Sequence, residues 1–243
     1  MAIDRTKPVG SLAAEIPGST RVLEQLGIDY CCGGGNSIKD ACLSAGLDPE
    51  EVIRRIEQAS NSDDAASQQW QKKSLTELIG YIIDRHHEFT RRELARIEEL
   101  SAKVKAVHGE KHSELVDIES TFQGLKSELT THMLKEEQVL FPYIRTMEGA
   151  LAHDKAVPQP FFGTVKNPVR MMMMEHDGAG QALSELRTLS GDYAIPSDGC
   201  ASFHSLYQAL RELEADLHEH IHLENNILFP QAIAMEARAG GGV

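Results

Sequence analysis

THMLKEEQVLFP (residues 131–142) and EHIHLENNILFP (residues 219–230) are two versions of one twelve-residue pattern. Each sets a histidine four residues before a glutamate, His132 with Glu136 and His220 with Glu224, and each runs through aliphatic residues into Leu-Phe-Pro. Residues four apart share one face of a helix, a turn from each other. A single His-x-x-x-Glu is ordinarily a solvated surface pair. Two copies in matched surroundings point instead to one site built in two halves.

The repeat reaches further than twelve residues. His87 precedes His132 by 45 positions and His176 precedes His220 by 44. A repeat kept only for packing would hold its apolar positions and let the polar ones drift, yet here the polar ones keep step. Apolar residues at three-and-four spacing predict four long helices, over about 75–107, 113–147, 167–189 and 201–237. Four long helices in sequence, with a proline-bearing connector between the second and third, predict an all-α four-helix bundle. Leu-Phe-Pro reads as packing plus a kink, because proline removes a backbone donor.

In such a bundle each helix can turn one face inward at a common level. The converging set is His87, His132, Glu136, His176, His220 and Glu224. Four imidazoles and two carboxylates in an apolar interior are costly unless something binds them. A metal pair is the usual answer. If both glutamates bridge, each ion takes two histidines and two carboxylate oxygens. A solvent-derived oxo or hydroxo bridge would add a fifth ligand and leave a sixth position open. Mixed nitrogen and oxygen ligation with open positions favours two non-haem iron ions, although manganese or zinc fits the same donors.

Ahead of the bundle, residues 1–58 read as a small domain of three short helices around the glycine-rich elbow DYCCGGG. Ser19, Asn36 or Ser37, and Asp48 are the expected caps. Residues 59–73 read as a linker, 74–237 as the bundle and 238–243 as a fraying tail. The formal charge of −13 excludes nucleic acid as a natural partner. No apolar run is long enough for a signal-peptide core or a membrane span. Cys31 and Cys32 are adjacent and poorly placed to bridge each other, so a reduced cytoplasmic protein is expected. The vicinal pair is open to redox chemistry, transient metal binding, partner docking or a plain structural role. Cys42 and Cys200 carry no pattern, and His108, His112 and His153 fall in loops without a role. Met171–Met174 reads as core filling.

The sequence resembles the iron–sulfur cluster repair di-iron proteins, the RIC family, which carry a hemerythrin-like bundle. The resemblance rests on PVGSLAAEIPGSTRVLEQLGIDYCCGGG, SLTELIGYIIDRHHEF, HMLKEEQVLFP, MEHDGAG and HIHLENNILFP, and spans nearly the whole chain. It implies iron ligands at His87, His132, His176 and His220 with bridging carboxylates at Glu136 and Glu224. His86 stands beside His87 as an alternative, which the repeat spacing disfavours. It further implies repair of clusters damaged by nitric oxide or oxidants, by supply of iron to damaged iron–sulfur proteins. Nitric oxide binding or reduction and gas or redox sensing are the alternatives; enzymatic turnover and a homodimer stay open. Glu128, one turn before His132, and Glu175, beside His176, are candidates to orient a ligand or line a channel. His218 and His222 point away from His220 and read as surface residues.

Overall fold

The computed structural model describes residues 3–16, 18–31, 33–59, 70 and 72–240. Among them the chain is helical, without a named strand. The three expected N-terminal helices form, at α2 (Ser19–Gln25), α3 (Ile38–Ser44) and α4 (Pro49–Ala59), and a further short one, α1 (Val9–Glu15), precedes them. It opens at Pro8 without a side-chain cap, so α1 escaped a sequence reading that looked for capping residues. Its Val9 and Leu12 are nevertheless buried with Leu23, Ile38 and Ile56 in one core. Ser37 caps α3, accepting from the Asp40 amide at 3.1 Å, and Asp48 accepts from the Glu50 amide at 3.1 Å. Ser19 does not cap. Gly18, in the left-handed region at φ 73°, takes that place, and the buried Ser19 hydroxyl donates to the Ile16 carbonyl at 2.6 Å.

The bundle helices follow. They are α5 (Leu75–Tyr81) and α6 (Glu88–His108), α7 (Glu114–Lys135) and α8 (Phe141–Ala152), α9 (Lys166–Leu189), then α10 (Ala201–Leu223) and α11 (Phe229–Gly240). Wide π-helical turns occupy Ile82–His87, Glu136–Leu140 and Glu224–Leu228. Ser74 starts α5 with a reciprocal cap: its hydroxyl accepts from the Glu77 amide at 3.1 Å and donates to the Glu77 carboxylate at 2.9 Å.

Two compact units are resolved. One comprises Tyr81–Tyr143 and Asn167–Leu217. Its core draws Leu94 and Ile97 from α6, Phe122 from α7, Leu183 from α9 and Phe203 and Leu210 from α10. Four helices sharing one apolar seam make this unit a four-helix bundle. The other comprises Met1–Gly80, Ile144–Lys166 and His218–Val243. In it Glu148 accepts from the Leu75 and Thr76 amides at 2.7 and 2.9 Å, and Glu236 accepts from the Val165 amide at 2.8 Å. Each carboxylate satisfies orphan donors at the start of a helix distant in sequence. Among the described residues no helix is long and apolar enough to cross a membrane.

Candidate metal centre

Both His-x-x-x-Glu pairs end on a wide turn, with Glu136 and Glu224 as its first residues. The sequence explains why the helix widens there. Pro142 and Pro230 lie shortly beyond, each lacking an amide hydrogen and crowding the carbonyl four residues back. A turn bonded one residue further apart accommodates both defects, and such turns recur at functional sites. His87 closes the third wide turn, Ile82–His87.

The bundle unit brings four of the expected residues together. His87 Nε2 and His132 Nε2 each lie 3.4 Å from Glu136 Oε2, and His132 Nε2 lies 3.0 Å from His176 Nε2. Donor atoms of His132, Glu136 and His176 all fall within 4.8 Å of one another. All four side chains are buried. The other unit holds the second pair, with His220 Nε2 3.1 Å from Glu224 Oε1 and both residues buried.

The outer nitrogens show what the inner ones are for. His87 Nδ1 lies 2.6 Å from Glu137 Oε1, and His132 Nδ1 lies 2.9 Å from Glu175 Oε2. An ionised carboxylate only accepts, so each Nδ1 carries the proton and each Nε2 presents a lone pair inward. Those lone pairs face one another and the Glu136 carboxylate. Acceptors brought together in a buried site need a proton or a metal ion between them. The donor set therefore fits a metal, and its nitrogen and carboxylate character suits iron. Arg91 pairs with Glu137 and Lys135 with Glu175. Burial pushes both carboxyls upward, but the hydrogen bonds from His87 and Arg91, and from Lys135 and His132, outweigh it and hold both below the ordinary range.

His86 turns elsewhere, its Nδ1 3.1 Å from the buried Asp216 Oδ2. Glu128 and Glu175 both line a cavity of about 740 Å³ that reaches His132 and His176. Met171–Met174 departs from the core-filling expectation: Met172 alone is buried, while Met171 and Met174 line the same cavity. Four consecutive helical residues sweep a full turn, so one face cannot bury them all. His222 also departs from its expectation. It is 2% exposed, not on the surface, with Nδ1 3.0 Å from Asn226 Nδ2 and its ring edge-on to Tyr30. The angular argument placed it correctly off the His220 face, but that opposite face is covered by the N-terminal elbow. Burial pushes its pKa down to about 4. His218 is half-buried.

Cys31 is buried, its thiol 3.3 Å from Asp29 Oδ1, whereas Cys32 lies outside the described residues. Cys200 is the exposed thiol among the described cysteines. Hydrogen bonding to His108 and to the Phe203 amide pulls its pKa down to about 7. Sequence reasoning missed Glu137, Glu148 and Glu236. A signal existed for the last two, because the repeat continues as LFPYIRTME (140–148) and LFPQAIAME (228–236).

Residues 78–232 match the hemerythrin HHE cation binding domain, and residues 5–60 match a domain of unknown function, DUF542. The chain is 35% identical over 232 residues to the iron-sulfur cluster repair protein YtfE of Yersinia pestis (strain Pestoides F), covering 96% of this chain and 99% of that one. The corresponding protein of Yersinia pseudotuberculosis serotype O:1b (strain IP 31758) is 34% identical over the same shares. With cation-binding residue types buried and facing inward on a helical bundle, and with that likeness along nearly its whole length, the chain belongs to the YtfE-type family of hemerythrin-domain proteins.

Proposed function

We propose that the chain repairs iron–sulfur clusters damaged by nitrosative or oxidative stress, and that it does so by supplying iron held as a pair. The repeated spacing proposes His87, His132, Glu136, His176, His220 and Glu224 as the residues that would hold the pair, with Glu136 and Glu224 as the carboxylates that both ions would share. The single observation that carries the reading is the inward turn of the Nε2 lone pairs, fixed by Glu137 and Glu175 on the far nitrogens. The relatives are named for iron–sulfur cluster repair, and damaged cluster proteins are the corresponding recipients here.

Bound iron supplies redox and ligand-exchange chemistry at the pair. The chain's own residues decide how it is held and let go. His132 and His176 line the cavity that also bears Glu128 and Glu175, so an ion held by those two histidines would border an opening. A carboxylate shared by two ions would, on protonation, loosen the hold on both together. Glu175 steadies His132 while it is paired with Lys135. The same cavity admits nitric oxide, whose binding at the pair is the second reading. The thiols of Cys42 and Cys200 are free, in keeping with a role in the reducing cytoplasm.

The test is metal content by mass spectrometry after purification and after anaerobic ferrous reconstitution, followed by transfer to a cluster protein stripped of iron. Two irons per chain are expected. Glu136→Ala and Glu224→Ala should each hold one or none. Zinc alone, no metal, or two irons in both variants would overturn the bridged pair.

A further inference from the structure

The turn that carries Glu224 also holds the backbone of the DYCC elbow. Asn225 Nδ2 donates to the Cys31 carbonyl at 3.3 Å, and Asn226 Nδ2 donates to the Tyr30 carbonyl at 3.2 Å. The same Asn226 carboxamide lies 3.0 Å from His222 Nδ1, and the His222 ring meets the Tyr30 ring edge-on at 5.3 Å. From the other side Gly10 closes on Asn226 so tightly that a Cβ there would stand 2.1 Å from Asn226 Oδ1. Cys31 is 4% exposed in this arrangement. A single five-residue turn thus offers a ligand carboxylate at its first position and the seat of a buried thiol at its next two.

We infer that Asn225 and Asn226 are positioning residues that couple the state of the Glu224 carboxylate to the exposure of Cys31. The inference rests on the reading of Glu224 as a metal ligand. A wide turn is one residue's bonding away from an ordinary helix. A metal on Glu224 anchors the first residue of that turn; loss of the metal removes the anchor, while Pro230 keeps the turn wide. The unanchored turn lets the two carboxamides that follow swing away, and both carbonyls they hold belong to the elbow around Cys31. The thiol is therefore shielded while iron is bound and released to solvent when iron leaves. Coupling of this kind is reciprocal, so an adduct on Cys31 must in turn weaken the hold on iron.

The test is the alkylation rate of Cys31 by iodoacetamide in the full chain, read at that residue by tandem mass spectrometry. In the iron-loaded protein, Asn225→Ala with Asn226→Ala should raise the rate about fivefold or more, to that of metal-free wild type, with helical circular dichroism unchanged. Gly10→Ala, which displaces Asn226 from the opposite side, should do the same and guards against a variant that fails to fold. An unchanged rate in both would overturn the inference. Loading wild type with ferrous iron should slow alkylation at least about fivefold, the lower end of ordinary coupling between sites. The asparagine variant should show no such slowing. Equal slowing in wild type and variant would also overturn it, because the message would then bypass the carboxamides. Metal content measured on the same samples keeps the two readings apart: a chain that holds no iron refutes the iron pair and with it the coupling, whereas a chain that holds iron without slowing alkylation at Cys31 refutes the coupling alone.

Discussion

Glu137 is the residue that turns a buried histidine into a directed donor. Its bond to His87 Nδ1 is 2.6 Å, and Arg91 keeps it ionised from behind. Such outer partners hold ring orientation and tautomer, and their loss ordinarily lowers metal affinity by about ten- to a hundredfold. Glu137→Ala should therefore lose iron to a competing chelator at about that disadvantage, with the helical content retained. Glu137→Gln, which can still accept through its carbonyl oxygen, should recover part of the loss. No change in the chelator titration would show that packing alone orients His87. The six expected residues stand out in the sequence by their repeated spacing, and the structure buries all of them. Glu137 does not stand out, because a glutamate next to a glutamate on a helix looks the same whether it faces solvent or a ring on another helix.

Among the elements, helix extents were legible to within a few residues, since apolar spacing alone determines them. The wide turns were not. Leu-Phe-Pro announces a defect, but kink and π-turn are two answers to the same missing amide hydrogen, and tertiary contacts choose between them. Loop histidines were equally opaque. His112 sits between Glu114 Oε1 at 2.9 Å and Asp198 Oδ1 at 3.0 Å, tying the start of α7 to the loop before α10. Those two hydrogen bonds raise its pKa. A raised histidine stabilises the fold fully below its ordinary value of about 6.5 and loses that contribution as pH climbs through the raised value. The difference in melting temperature between wild type and His112→Gln should accordingly shrink as pH rises over that window. A difference independent of pH would mean that the contacts contribute by packing and not by charge.

For the whole molecule, gathering buried histidines and carboxylates on a folded helical scaffold ties metal binding to folding. A ligand that binds only the folded state adds about 2.7 kcal/mol when present at a hundred times its dissociation constant. For a chain of this length that corresponds to a rise of several degrees in melting temperature. Scanning calorimetry of iron-loaded protein before and after chelation should show that rise and its reversal. A melting temperature indifferent to iron would place the histidines outside the folding energetics altogether. Family and bundle were both legible at this scale from repeated motifs. The burial of His222 beneath the N-terminal elbow was not, because nothing local in EHIHLENN states which surface another part of the chain will cover.

Glu148 and Glu236 carry a last consequence. Each stands twelve residues past the glutamate of a His-x-x-x-Glu pair, and each closes a helix start. A chain that copies its caps along with its ligands reads as one ancestral hairpin duplicated and fused. That hairpin had a lone histidine, one His-x-x-x-Glu and one cap, which is half a centre, so it had to meet its own twin to bind anything. The stretch over 153–163 is then the splice, the part with no ancestral counterpart, and the place where the modern chain is freest to change length without disturbing either inheritance.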